Sequence, residues 1–300
     1  MDNNLYSKYD FIDKSVLLGL RLDGIGKKRK ISGSMIDNLD SVSGMIHVHK
    51  DILNCPELNA IALVDSQIRA YIRKNTFPTD FGNGVYILPI QMFEEVDSTL
   101  TELKKDRDVL IEKFKDMYDQ RKLEAETRLG RFYEEKDYPS IEKLNACFDF
   151  RIQYLSFDVP KNLKNIRSEI YERELEKVDK MWLRTLEIIK TSLYSDFGKL
   201  LEHLKERLAP DSNGKAKKFK EATLLNLIDF TQTFDKKNII CDPKLAKIVN
   251  DLRLQIINLD SKSLRDNEKI RGITLNHLQA ALSEMQDDNK SITTRIISFE

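Results

Sequence analysis

Two long stretches free of proline constrain this chain more than any other feature of its sequence. Residues 91–136 hold no proline, and no glycine before Gly130. Phe93, Val96, Leu100, Leu103, Leu110, Phe114 and Met117 follow one another at three- and four-residue steps, with Arg107 interrupting. That spacing predicts a helix with an a/d seam, about 65–70 Å long at the helical rise. Residues 162–208 predict a second long helix. Its stripe runs through Leu163, Ile166, Ile170, Leu175, Val178, Trp182, Leu186, Ile189, Leu193, Phe197, Leu201, Leu204 and Leu208. Ala209-Pro210-Asp211-Ser212-Asn213-Gly214 stops it. Glu169/Arg173 and Glu176/Lys180 are acid-first i,i+4 pairs that support this helix weakly.

Between the two lies a short strand-bearing connector, residues 137–161. Pro139 breaks the first helix, and a short helix is expected from Ser140 to Ala146. Phe148, Phe150, Ile152 and Tyr154 then alternate with polar residues, the period of a strand. The economical packing of two such helices is an antiparallel hairpin with this connector at its tip. The expected fold is therefore mainly α with a small β component, built on a long coiled-coil-like hairpin. Residues 1–90 form a small α+β region and residues 215–300 a helical C-terminal region.

In the N-terminal region Leu18, Leu20 and Leu22 alternate with Gly19, Arg21 and Asp23, which reads as a half-buried strand entering the Asp23-Gly24 turn. The segment 34–54 is ambiguous between strand and helix. Residues 57–75 predict a helix, the Pro78, Gly82 and Gly84 stretch a loop, and Val85–Pro89 a short strand. Toward the C-terminus, helices are expected over 216–236, 243–259 and 262–289, with Asp242 as N-cap before Pro243. Ile292, Ile296 and Ile297 leave the tail open between strand and helix.

The chain has 49 Lys+Arg against 49 Asp+Glu, a formal net charge of zero, which speaks against a globally basic nucleic-acid binder. Much of that balance is acid and base interleaved on the two long helices. Unbalanced charge is local. Lys27, Lys28, Arg29 and Lys30 follow a glycine turn, and Lys215, Lys217, Lys218 and Lys220 follow Asn213-Gly214. Either cluster could meet phosphate oxygens or an acidic partner. Gly26-Lys27 is not a Walker A loop, because Lys28 stands where Ser or Thr must hold magnesium and no glycine lies five residues before Gly26.

Cys55, Cys147 and Cys241 are sparse and odd in number, which fits a reducing compartment and not a disulfide framework. His47 and His49 with Cys55 could begin a zinc site, yet a further ligand is wanting. His203 and His277 stand isolated in helical patterns. The acids in Glu94/Glu95 and Glu134/Glu135 are adjacent and point to different sides of a helix, so neither pair is a local acid/base pair. The chain carries no GxSxG, HExxH or HxE…CxxC arrangement, so the expectation is a protein with no catalytic residues, cofactor or metal. Trp182 reads as a core anchor or as an interface residue. The opening MDNNLYSKYDFIDK predicts no secretory leader, and no apolar run reaches the ~20 residues of a spanning helix, so a cytoplasmic location without membrane contact is expected.

The order of Tyr86-Ile87-Leu88-Pro89, the charged helix with Phe114-Lys115-Asp116-Met117-Tyr118, the Tyr138-Pro139-Ser140-Ile141 break and Phe148-Asp149-Phe150…Phe157-Asp158-Val159-Pro160 carries a resemblance. Over residues 15–165 it is similar to a family of uncharacterised bacterial proteins borne by phages and plasmids. Members occur beside MoxR-type AAA+ ATPases and von Willebrand factor A (VWA) proteins. The strand and basic turn from Leu20 to Arg29 are similar to the family's N-terminal pattern, whereas the Trp usual in the family's long helix is missing, Leu123 to Thr127 offering no aromatic. The resemblance implies a non-enzymatic helical adaptor partnered by a MoxR-type ATPase and a VWA protein, with ATP bound by the partner. The apolar seams make a homo-oligomer plausible. The alternative expectation is a nucleic-acid-associated protein using the two basic clusters.

Overall fold

A computed structural model describes residues 8–31, 47–156, 159, 162–210, 217 and 220–297. The chain is mainly helical, with two small antiparallel sheets. After a short helix α1 (Lys8–Asp13), strand β1 (Ser15–Leu22) forms the centre of the larger sheet. The 3-residue strands β2 (Lys28–Lys30) and β3 (His49–Asp51) form a separate ribbon. Helix α2 (Pro56–Asn75) leads to β4 (Phe77–Pro78) and β5 (Val85–Pro89). Helices α3 (Phe93–Asp116), α4 (Tyr118–Leu129) and α5 (Ile141–Cys147) precede β6 (Phe150–Leu155), which completes the sheet in the order β4-β5-β1-β6. The rest is helical: α6 (Asn162–Ile166), α7 (Ser168–Leu208), α8 (Glu221–Lys237), α9 (Pro243–Ile256), α10 (Ser261–Asp266) and α11 (Glu268–Ile297).

The two-residue period of β1 explains the layering. Successive side chains leave opposite faces of a strand. Leu18, at 0% exposure, packs with Ile68 and Ile72 of α2 and Val96 and Leu100 of α3. Its neighbour Leu17 packs into the other core, among residues of α7, α8, α9 and α11. The strand is thus buried on both faces, not half-buried as its Leu-x-Leu-x-Leu alternation suggests. The sheet separates one helical layer, α2 and α3, from another, α7 to α11. Gly84 serves the same sheet. Its φ is +78°, and a Cβ there would stand 2.8 Å from the Leu20 carbonyl oxygen.

The expected hairpin of the two long helices is not what the structure shows. The first helix is divided at Met117, and α3 lies on α2. Helix α7 packs on α8 and α11. The buried side chains of α3 and α7 belong to different cores, with Val96 and Phe114 in two of them and Phe197 and Leu201 in a third. The physical reason is that each stripe finds an apolar face nearer in sequence, α2 for α3 and α8 for α7, and the sheet stands between the layers. The connector is also no hairpin tip, because β6 pairs with β1 over Leu17–Leu22 and so joins residues 1–90 in one sheet.

Other expectations are met with small shifts. The 57–75 helix is α2, and Asp242 caps α9 by accepting from the Lys244 and Leu245 amides at 3.0 Å. Lys28–Lys30, after the glycine turn, pair with His49–Asp51 and not with β1. The open tail continues as helix to Ile297. Phe157, Asp158 and Pro160 lie outside the described residues.

Candidate functional site

The loop between β1 and β2 and the turn after α4 enclose an open cleft of about 570 Å³. Gly24, Ile25, Gly26 and Arg29 line one side, and Lys136, Asp137, Pro139 and Cys147 the other. This cleft holds part of the first basic cluster, and two buried cations behind it brace the lining residues Asp23 and Asp137.

Arg107 is the first. It interrupts the apolar register of α3 and is completely buried. Its Nε donates to Asp65 Oδ1 at 2.7 Å, Nη1 donates to the Phe148 carbonyl at 2.8 Å, and Nη2 donates to the Asp23 carbonyl. The guanidinium also lies over the Phe148 ring, 5.9 Å from its centroid. One side chain thereby joins α2, the loop after β1 and the start of β6. The planar fork of arginine suits such divergent acceptors, which a lysine could not match.

Lys50 is the second, with its side chain 3% exposed. Its ammonium lies 2.8 Å from Asp137 Oδ2 and 2.9 Å from Glu134 Oε2, and it donates to the Phe132 carbonyl. Burial alone lowers a lysine pKa, but hydrogen bonds and attraction to Asp137 and Glu134 outweigh it, leaving Lys50 above its ordinary value. Glu134 is pulled down to about 2, first by its hydrogen bond from Lys136 and then by that from Lys50. Tyr138 fixes the same corner by donating to the Ile52 carbonyl at 3.0 Å.

These contacts decide what the first basic cluster can do. Arg29 turns inward, donating to the carbonyls of Gly26 at 2.9 Å, Lys28 at 3.0 Å and Asp137 at 3.4 Å. Lys27 donates to Asn59 Oδ1 at 3.0 Å, and its carbonyl receives the Ile52 amide. Lys28 and Lys30 alone of the four are exposed, on one face of β2, opposite Asp51 and His49 in register. The glycine turn is therefore a stapled loop with two outward lysines. In the second cluster, Lys217 donates to the Glu206 carbonyl at 3.4 Å and Lys220 is exposed at the start of α8. Lys215 and Lys218 lie outside the described residues.

The remaining sequence candidates fall apart in space. His47 and His49 are exposed, Cys55 is buried before α2, and burial pushes its thiol pKa up. Among the described residues no group of three His, Cys, Asp or Glu is placed to hold a metal. Trp182 is 4% exposed and is covered by this chain's own Phe11 and Phe81, with ring centroids at 5.5 and 4.8 Å. It is a core anchor, and the interface reading of its ring is corrected accordingly. No helix among the described residues is long and apolar enough to cross a membrane.

A different surface is only partly covered. Of the 41 residues of α7, the first to be buried is Trp182. Over residues 168–181, about 20 Å of helix, no side chain is fully buried, and Val178 is half-buried against the core of α7 to α11. Yet Tyr171, Leu175 and Val178 occupy one helical face that leads into Trp182, and Ile166 just before α7 is 70% exposed. Around them Glu176 and Lys180 pair at 2.7 Å, and Glu174 pairs with Lys177 at 2.8 Å and Arg173 at 3.3 Å. Arg173 thus serves Glu174 and not Glu169.

No family model, curated protein or solved structure matches this chain.

Proposed function

We propose that the chain is a non-enzymatic helical adaptor that works beside a MoxR-type AAA+ ATPase and a VWA protein. The observation that supports this reading is the first third of α7, a charged helix on which Tyr171 and Leu175 are only half-buried and no residue is fully buried before Trp182. An amphipathic helix only partly covered by its own chain is suited to lie in a partner's groove. The tight core that begins at Trp182 would hold it at a fixed angle. ATP would be the partner's cofactor, and the work of remodelling the partner's. The family resemblance over residues 15–165 names the partners.

Co-expression of the chain with a MoxR-type ATPase and a VWA protein tests this. Co-purification with either is expected, and a Tyr171→Asp/Leu175→Asp double variant should keep the helical circular-dichroism spectrum while losing the partner. Failure of the wild-type chain to retain either protein overturns the reading.

A further inference from the structure

A second cavity, of about 380 Å³, opens where the end of α2, strand β4, the middle of α7 and helix α8 meet. Its volume falls within the range of small-molecule pockets, ~300–1,000 Å³. Phe77, Leu193 and Phe230, all buried, supply an apolar wall. Lys237, the last residue of α8, reaches the same space and is only 7% exposed. Its ammonium donates to the Lys74 carbonyl at 2.9 Å. An ammonium carries three N–H donors, and Lys237 makes no ion pair within 4.0 Å among the described residues. The two carboxylates of the cavity do not meet it. Asp229 is paired with Lys74 at 3.0 Å, and Asp196 is exposed at the mouth. Arg73 and Lys199 add positive charge at the rim.

A buried cation with one carbonyl acceptor is under-matched, since a buried charge ordinarily requires a counter-charge. We propose that this cavity binds a small amphipathic monocarboxylate, with the carboxylate on the Lys237 ammonium and the apolar body against Phe77, Leu193 and Phe230. A single negative charge answers the single buried ammonium. A doubly charged head would bring its second charge toward Asp196 and Asp229. Burial also holds the Lys237 pKa below its ordinary value, with Asp229 and Asp196 opposing that shift and Lys74 adding to it. A bound carboxylate relieves the same burial cost.

The test uses the full chain, with 4-phenylbutyrate and its neutral analogue 4-phenylbutanamide as probes in calorimetric titration. The acid is expected to bind at least about tenfold more tightly than the amide, the effect of a charge-assisted hydrogen bond in a partly desolvated site. Lys237→Met should remove that preference, and Asp196→Asn should strengthen acid binding by removing a like charge at the mouth. Equal binding of acid and amide by the wild-type chain overturns the proposal without any variant. So does undetectable binding of the acid, or displacement of the acid by inorganic phosphate at equal concentration, which would mark a simple anion site.

Discussion

The two sides of the sheet bury cations in opposite ways. On the side of α2 and α3, Arg107 and Lys50 are buried with each nitrogen met by at least one carboxylate or backbone carbonyl. On the side of α7 to α11 the core is apolar, built from Phe197, Leu201, Leu204, Leu227, Phe234 and Leu245. The cation at its margin, Lys237, has a single carbonyl. The difference teaches what buried charge is for in each place. Around Arg107 it ties helix α2, through Asp65, to two irregular backbone segments at Asp23 and Phe148. Around Lys237 the protein leaves part of the matching undone, beside a cavity.

Substitutions at three sites test that contrast. Arg107→Met should have the largest effect. It leaves Asp65 and two carbonyls buried without a donor, and breaking a buried pair from one side costs about 3–5 kcal/mol. Chemical denaturation should show a loss of that size, and Arg107→Lys should recover little of it. An intact midpoint would mean that the guanidinium is not a structural clamp.

A smaller effect is expected at Glu134, and it depends on pH. The folded pKa is about 2 against an ordinary 4.5. Its contribution is therefore complete above 4.5 and is lost as pH falls from there toward 2. Thermal melts across that interval should fall less steeply for Glu134→Gln than for the wild-type chain. Parallel curves would separate Glu134 from the Lys50 cluster.

The smallest effect belongs to Lys237→Met. Here an under-matched ammonium is exchanged for an apolar side chain of similar length, so stability should stay level or rise. A loss as large as that of Arg107→Met would erase the distinction between the two sides of the sheet.

The sequence alone determined much of the local structure, because local structure follows from spacing and capping. Helix α2, the Asp242 cap before Pro243, the strands at β5 and β6, and the stop after Leu208 are all written in short-range patterns. The signal for Arg107 was present too, as a charge standing in an apolar register, but its three acceptors lie 41 to 84 residues away and no spacing rule reaches them. Lys50 carries no local signal at all, since its partners arrive from the turn after α4.

The pairing of the long helices was decided only in three dimensions. Each stripe specifies that it must be covered, not by what, and Leu17 and Leu18 show why. Adjacent residues of one strand face different cores, so the sheet divides the helices into two layers that hydrophobic periodicity cannot distinguish. The basic clusters tell the same story. Composition supplied four cations at Lys27 to Lys30, but the fold turned Arg29 onto carbonyls and Lys27 onto Asn59, leaving two. Charge is a property of the sequence. Whether a charge is available to a partner depends on which acceptors the fold places within its reach.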